Sequence, residues 1–198
     1  MKSYIIITWI AMLLLISCQN QNRQEQKDQH HHEPAVQAET LPENTKKSIP
    51  KEAHGQVGNV HVSISYYSPG VRGRIIYGGL VPFGEVWVTG AHSATKVSFS
   101  ENIEIEGTSI PKGDYAIFTI PGEEKWTFIL NKNWEQHLAD DYKQEEDVIR
   151  VELTPEVDLP IAERLIYNIE DKGNGKGIIK IQWEKRSISL PFEEIIAH

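Results

Sequence analysis

The sequence predicts an all-β fold: an antiparallel β-sandwich of the jelly-roll or immunoglobulin-like kind, with at most one or two short helices. Short segments in which apolar and polar residues alternate recur along the chain from about residue 55. Turns rich in Gly and Pro separate these segments at regular spacing. An apolar face and a polar face on each segment are what two packed antiparallel sheets require.

The first alternating segment runs from Val60 to Tyr66, in which every second residue is apolar. Alternation recurs at Lys96 to Phe99, at Ile103 to Glu106 and at Ile149 to Leu153. Between these segments, "DYAIFTIP" and "KWTFILN" are aromatic and β-branched runs separated by the turn "PGEEK". Together with the C-terminal hairpin, about eight strands are predicted in this way.

The clearest hairpin is predicted near the C-terminus, where "ERLIYNIED" and "GIIKIQWEK" flank "KGNGKG". Asn174-Gly175 suits a tight turn of the primed type, because both residues tolerate a positive φ. In the second strand Ile179, Ile181 and Trp183 are predicted to face the core.

One short helix is predicted, in "NWEQHLADDY". At helical spacing, Trp134, His137, Leu138 and Asp141 share a face. Trp134 and Leu138 are therefore expected to cover one end of the sheet core.

The N-terminal residues 1–18 have the form of a lipoprotein signal: Lys2, an apolar run from Ile5 to Ile16, and Ser17 before Cys18. The run is shorter than the ~20 apolar residues that span a bilayer, and "LISC" matches a lipobox. Cys18 is the single cysteine of the chain, so its thiol is predicted to carry lipid rather than form a disulfide. Gln19 in place of an aspartate favours the outer membrane over the inner membrane, and the side that the protein faces stays open.

Residues 19–52 are predicted to form a disordered polar tether, because Gln, Asn, Glu and Pro dominate and large apolar residues are nearly absent. Residues 53–198 are predicted to form a single β-sandwich domain. The tether contains His30, His31 and His32, which are a candidate for weak metal handling. Adjacent histidines on a disordered arm lack the fixed geometry of a specific site, which favours the interpretation without a metal.

The charge balance excludes one class of partner. The formal net charge is −8, and a nucleic-acid-binding protein needs a basic stripe that neutralises phosphates. No such stripe is present in the sequence. The glycines at 70, 73, 78, 79 and 84 have neither dinucleotide-binding nor P-loop spacing, so no cofactor is predicted.

The central part of the chain, roughly residues 55–155, resembles domain of unknown function 2911, a family of exported proteins common in Bacteroidota. The family marks are a Ser-Pro turn before a basic Gly-Arg, a Val-Pro-aromatic-Gly step into a Trp strand, a Gly-Ala-Asn loop, a Pro-x-Gly-x-Tyr turn and an F-T-I-P-G segment. Here they are Ser68-Pro69, Arg72 to Arg74, Val81 to Gly84, Trp87, Gly90-Ala91, Pro111 to Tyr115, and Phe118 to Gly122. His92 stands where the family more often has Asn. The resemblance implies an exported all-β domain and brings no assigned activity.

His92 and Ser93, in "VWVTGAHSATKV", are adjacent and suggest a nucleophile and a base. Such chemistry needs the hydroxyl within hydrogen-bonding reach of an imidazole that a carboxylate orients. Neighbours on an extended segment point to opposite faces, which favours a turn or rim role for His92. An envelope hydrolase with His92 as base, assisted by Asp114 or Ser93, is the alternative.

Arg72, Arg74 and Tyr77 form a second candidate cluster. Two guanidinium groups can grip a carboxylate, a phosphate or an acidic sugar, and Tyr77 with Trp87 would add aromatic walls. The alternative is that Arg74 pairs with Asp114 and that Trp87 belongs to the core.

The leading hypothesis is a non-catalytic, lipid-anchored protein of the cell envelope. It would bind a small molecule, a glycan or a protein partner through the edge that residues 72–77 and 87–95 form, with His92 at its rim. The oligomeric state cannot be read from the sequence.

Overall fold

A computed structural model describes residues 47–196. This part of the chain consists of β-strands joined by turns and one short 3-10 turn at Gln144–Glu146, which confirms the predicted all-β class. The strands are β1 (Ile49–Val57), β2 (Val60–Ser68), β3 (Thr95–Phe99), β4 (Ile103–Ile105), β5 (Thr108–Ile110), β6 (Gly113–Ile120), β7 (Trp126–Asn131), β8 (Asp147–Leu153), β9 (Ala162–Gly173), β10 (Lys176–Glu184) and β11 (Arg186–Glu194).

The strands form two antiparallel sheets. One has six strands in the order β1-β2-β3-β6-β7-β8, and the other has five in the order β5-β4-β11-β10-β9. The core lies between them and buries the residues that alternation assigned to it. Ile64 and Trp183 are 0% and 1% exposed. The predicted sandwich is therefore confirmed.

A second, smaller apolar cluster lies on the outer face of the six-stranded sheet. It is formed by Val88, Ala94, Ala116, Phe118 and Ile129, and Trp134 and Tyr142 pack against it. Two long connections, residues 84–94 and 132–143, thus cover the outside of β6 and β7. This explains why "DYAIFTIP" is a continuous apolar run, since β6 is buried on both faces.

The hairpin predicted at the C-terminus is confirmed. Strands β9 and β10 flank Asn174 and Gly175, which have φ values of 54° and 74°. Both positive values fit a primed two-residue turn, which matches the right-handed twist of the flanking strands.

The structure corrects one boundary of the sequence analysis and adds strands that it did not predict. Strand β1 begins at Ile49, whereas the tether was predicted to extend to residue 52. Pro50 made this stretch resemble a linker, yet β1 is an edge strand, where proline is tolerated. Strands β5 and β11 were also not predicted. Strand β11 contains Pro191, and it pairs with β4 at Glu193 and Glu194.

The predicted helix at "NWEQHLADDY" is wrong. The chain makes an irregular connection and a turn there, and Leu138 has a φ of 50° and is 38% exposed. The backbone groups are engaged elsewhere: Leu138 N donates to His92 O at 2.7 Å, and Ala94 N donates to Gln136 O at 3.0 Å. These bonds to a distant segment replace the local bonds of a helix.

Close approach between the two sheets requires a glycine at position 55. A Cβ atom at Gly55 in β1 would lie 2.5 Å from Ile169 Cβ in β9. Any larger residue at position 55 would therefore push the edges of the two sheets apart.

Three predicted features lie outside the described residues: the signal segment, Cys18 and the His30 to His32 tract. Within residues 47–196 the structure contains no helix with the length and hydropathy needed to cross a membrane.

Candidate functional site

The loop after Trp87 is held by buried polar contacts. Thr89, with a φ of 50°, bonds through its hydroxyl to the Thr119 hydroxyl at 2.9 Å. Its carbonyl accepts hydrogen bonds from the Tyr167 hydroxyl at 2.7 Å and the Thr95 hydroxyl at 3.2 Å. The indole N–H of Trp87 donates to Gly90 O at 3.1 Å. The first half of the "VWVTGAHSATKV" segment is therefore a rigid structural support.

His92 follows this support and has an exposed side chain. Its φ is 64°, and its ring meets the Tyr67 ring edge to face with centroids 5.0 Å apart. The next residue, Ser93, forms an antiparallel bridge with His137. Residues 92–94 and 136–138 thus pair as a short ladder that stands above the outer face of the sheet.

The predicted partners Tyr77 and Trp87 do meet, within an aromatic cluster that packs against the core. Tyr77 packs against Trp126 with ring centroids 4.9 Å apart and against Trp87 at 6.4 Å. Trp87 stacks on Trp183 at 5.6 Å. Burial raises the pKa of the Tyr77 phenol. The cation that faces Tyr77 is Arg186, 5.7 Å from the ring centroid.

Arg72 and Arg74 lie on an exposed turn. Arg74 donates from Nη2 to Gly70 O at 2.6 Å and from Nε to Val71 O at 3.2 Å. Arg72 has a φ of 51°, and its main-chain N–H bonds to Glu163 Oε1 at 2.9 Å. The predicted pairing of Arg74 with Asp114 is not among these contacts. Asp114 instead accepts a hydrogen bond from the Ser98 hydroxyl and lies 3.7 Å from Lys96 Nζ.

A groove of about 890 Å³ lies on the outer face of the six-stranded sheet. We call it the outer groove. Its floor is the outer face of β1, β2 and β3, and its wall is the ladder of residues 92–94 and 136–138. Its lining residues are Pro50, Lys51, Glu52, Ser65, Tyr66, Tyr67, Ser93, Ala94, Lys96, Trp134, Glu135, Gln136 and His137.

The outer groove has a buried polar group without a partner. Gln136 is 6% exposed, and its amide nitrogen donates to Asn133 O at 2.6 Å. This bond fixes which end of the amide is oxygen. The carbonyl oxygen, Oε1, has no hydrogen-bond partner among the described residues. A buried acceptor left unpaired is costly unless a donor beyond the described residues bonds to it.

Two aromatic side chains and a balanced set of charges also line the outer groove. Lys96 Nζ lies 4.8 Å from the ring centroid of Trp134, and Tyr67 lies on the floor of the groove. Lys51 and Lys96 are matched by Glu52 and Glu135. The groove therefore offers aromatic faces and polar groups without a net formal charge when histidine is neutral.

The family relationship covers most of the chain. The sequence profile of a family described as "Protein of unknown function (DUF2911)" matches residues 48–192. The chain belongs to this family. The match extends the resemblance predicted from residues 55–155 to nearly the whole sandwich. No curated protein and no solved structure matched the chain.

Two of the motifs that carried the family resemblance lie at turns of the sandwich. Ser68-Pro69 ends β2, and the Ser68 hydroxyl donates to Leu165 O at 2.8 Å, which joins the two sheets. The Pro111 to Tyr115 turn leads into β6, where the Tyr115 hydroxyl donates back to Pro111 O at 2.7 Å. At these two places the motif residues have a structural role.

The hypothesis of a hydrolase that uses His92 stays a prediction. The contacts described for His92 are with Tyr67 and Leu138, and those for Asp114 are with Ser98 and Lys96. Within residues 47–196 no group of three His, Cys, Asp or Glu side chains is arranged to hold a metal ion.

Sequence reasoning missed Gln136, Tyr67 and Trp134 as groove residues. A signal for Tyr67 was present, because it follows Tyr66 and places an aromatic residue at a position of β2 that alternation assigns to the polar face. Trp134 was assigned to a helix that does not form. Nothing in the local sequence marks Gln136.

A buried network holds the connection that carries the groove wall. Asp147, whose side chain is 5% exposed, accepts hydrogen bonds from the Tyr142 hydroxyl at 2.7 Å, Arg150 at 2.8 Å and the Asn131 amide at 2.8 Å. Burial and the hydrogen bond to Asp147 raise the pKa of Tyr142 to about 12. The DUF2911 domain thus ties residues 132–143 to β7 and β8.

This raised pKa predicts a loss of stability in alkali. The pKa of Tyr142 is higher in the folded state than its ordinary value near 10, so its stabilising contribution is complete below pH ~10 and is lost as the pH rises through ~12. We expect Tyr142→Phe to unfold with a shallower pH dependence between pH ~10 and ~12 than the unmodified protein, as measured by urea denaturation. An unchanged slope would show that Tyr142 does not titrate in this window.

Proposed function

We propose that the protein is a lipid-anchored binding protein of the cell envelope that holds a small, uncharged polar ligand, a saccharide, in the outer groove. The observation that carries the proposal is Gln136 Oε1, a buried acceptor that has no partner within residues 47–196 and belongs to a side chain lining a groove of about 890 Å³. Ligand pockets typically combine apolar and aromatic walls with a few fixed polar groups, at volumes of about 300–1,000 Å³.

The chemistry of the lining argues for a ligand with hydroxyl groups. Gln136 Oε1 needs a donor, which a sugar hydroxyl supplies and a carboxylate or phosphate ester does not. The faces of Trp134 and Tyr67 suit the apolar C–H face of a sugar ring. The matched charges of Lys51, Lys96, Glu52 and Glu135 favour an uncharged ligand over a strongly anionic one.

The anchor is proposed from the N-terminal sequence. A charged start, the apolar run Ile5 to Ile16 and the lone Cys18 support lipidation and an envelope location, with the outer membrane preferred because of Gln19. Several acyl chains on one residue give stable anchoring, whereas a single chain is marginal. Incorporation of labelled palmitate into the protein, and its loss in Cys18→Ala, tests this part separately.

The groove is tested with the full-length lipidated protein in detergent, on a glycan array and with a panel of free saccharides. We expect Gln136→Met, which keeps the side-chain length and removes the acceptor, to weaken binding of the best ligand about tenfold or more. Trp134→Ala should weaken it similarly, because the aromatic face is lost.

Gln182→Met is the matched control. Gln182 lies on β10, where it contacts Pro160 O at 3.5 Å at the far sheet, and does not line the outer groove. Its substitution should leave the affinity unchanged. No binding to any saccharide, or equal binding by the Gln136 and Gln182 variants, would contradict the proposal.

A further inference from the structure

The loop that follows β2 presents apolar side chains to solvent from a fixed backbone. Ile75 is 78% exposed and Leu80 is 48% exposed. Their neighbours Ile76 and Val81 are 2% and 3% exposed and are part of the core. Leu80 N donates to Ile75 O at 3.0 Å and Val81 N to Ile76 O at 2.9 Å. The loop therefore holds Ile75 and Leu80 outward while its other face is anchored.

The same loop is locally basic in an acidic protein. Residues 69–84 contain Arg72 and Arg74 and no acidic residue, whereas the whole chain has a net charge of −8. The acidic side chain of Glu163 lies against the loop, where it accepts a hydrogen bond from Arg72 N at 2.9 Å. Exposed aliphatic residues next to arginines are the composition of segments that lie at a membrane interface. Arg74 fixes the turn through Gly70 O and Val71 O.

The described chain begins beside this loop. Arg164 Nη1 donates to Lys47 O at 3.2 Å and to Ser68 O at 3.0 Å, and Ile49 pairs with Ser68 at the end of β2. The loop leaves the sheet immediately after Ser68, and Gly70 bridges to Arg164. Ile161, 58% exposed, lies just before β9, and Val71 N bonds to Glu163 O nearby. We call this end of the sandwich the loop end.

We propose that the loop end docks on the surface of the bilayer that holds the lipid anchor, with Ile75 and Leu80 among the lipids and Arg72 at their phosphates. The inference rests on the lipid anchor of the proposed function. Between Cys18 and Lys47 lie 28 residues, 19–46, and a chain of that length reaches at most about 100 Å. The anchor therefore keeps the domain at a high local concentration next to the membrane, where weak contacts suffice for docking.

A bilayer is favoured over a protein partner by the position of the loop. The chain that leads to the anchor joins the domain at the same end that presents Ile75 and Leu80, so this end is the nearest to the anchor along the chain. The opposite end offers a comparison: Ile196 is 63% exposed, and its neighbour Ile195 bonds through N to Asn102 O at 3.2 Å.

The test uses the full-length lipidated protein in vesicles of phosphatidylethanolamine and phosphatidylglycerol. Ile75→Cys, Leu80→Cys and the matched control Ile196→Cys are each labelled with an environment-sensitive dye, since the thiol of Cys18 is consumed by lipidation. We expect a blue shift and quenching by brominated lipids at positions 75 and 80, and neither at 196. Equal signals at 75 and 196, or no quenching at any position, would overturn the proposal.

A second set of variants tests the energetics with the label kept at one position of the loop. The dye is placed at Leu80→Cys, and Ile75→Asp is compared with Ile196→Asp. We expect Ile75→Asp to lower the ratio of docked to undocked domain about tenfold, equivalent to about 1.4 kcal/mol, and Ile196→Asp to leave it unchanged. Equal effects of the two variants would contradict docking through this loop.

The readouts separate this inference from the proposed function. Palmitate labelling of the same preparation reports the anchor, so a lipidated protein without quenching refutes only the docking. A dye at position 75 that is exposed on vesicles but protected in isolated envelope membranes would indicate a protein partner instead and would also overturn the proposal.

Discussion

Replacing Trp183 with alanine should lower the free energy of unfolding by about 3–5 kcal/mol, the cost usual for truncating a large buried aromatic residue. Trp183 is 1% exposed, stacks on Trp87 at 5.6 Å and meets Tyr77 at 6.3 Å. Alanine would leave a cavity between the two sheets and remove both ring contacts. Urea denaturation followed by far-ultraviolet circular dichroism measures the change.

Trp134→Ala is the matched control for this prediction. Trp134 is partly exposed and packs on the outer cluster rather than between the sheets. Trp134→Ala should lower the free energy of unfolding by less than about half as much as Trp183→Ala. If the two variants lost equal stability, the core would not lie where the structure places it.

The second large effect is expected at Asp147, because its substitution releases three partners at once. Asp147→Ala leaves the Tyr142 hydroxyl and the Asn131 amide without their shared acceptor, and Arg150 without its ion pair. We expect a loss of about 2–3 kcal/mol, below the range for fully buried pairs because the side chain of Arg150 is 32% exposed.

The location of this effect is as informative as its size. The network ties down residues 132–143, which carry the wall of the outer groove, so Asp147→Ala should also speed amide hydrogen exchange in that connection. Asp147→Asn, which keeps an acceptor for Tyr142, should show a smaller loss of stability. Unchanged exchange in residues 132–143 of the alanine variant would contradict the structural role assigned to Asp147.

The predictions from sequence succeeded where the relevant pattern is local. Alternation in β2 and β10 is visible over a few residues, because successive side chains of a strand point to opposite faces. Asn174-Gly175 likewise identified its turn from two residues. The family resemblance rested on short motifs of the same kind, and the profile match confirmed it over residues 48–192.

The predictions failed where distant segments decide the conformation. Leu138 lies in a turn because its N–H bonds to His92, 46 positions earlier in the chain, and no local spacing shows that. The edge position that admits Pro50 in β1 depends on the order of strands in the sheet. The outer groove combines residues of β1, β2, β3 and two connections. Whether Gln136 Oε1 has a partner is settled only by that assembly.

The glycine at position 55 also bears on self-association. The exposed edge of a β-sheet is a template on which other chains can add strands and aggregate. Here β1 lies alongside β9, and the contact at Ile169 leaves no room for a side chain on Gly55. At the opposite edge of the other sheet, β5 is only three residues long. Both features make strand addition at these two edges unfavourable.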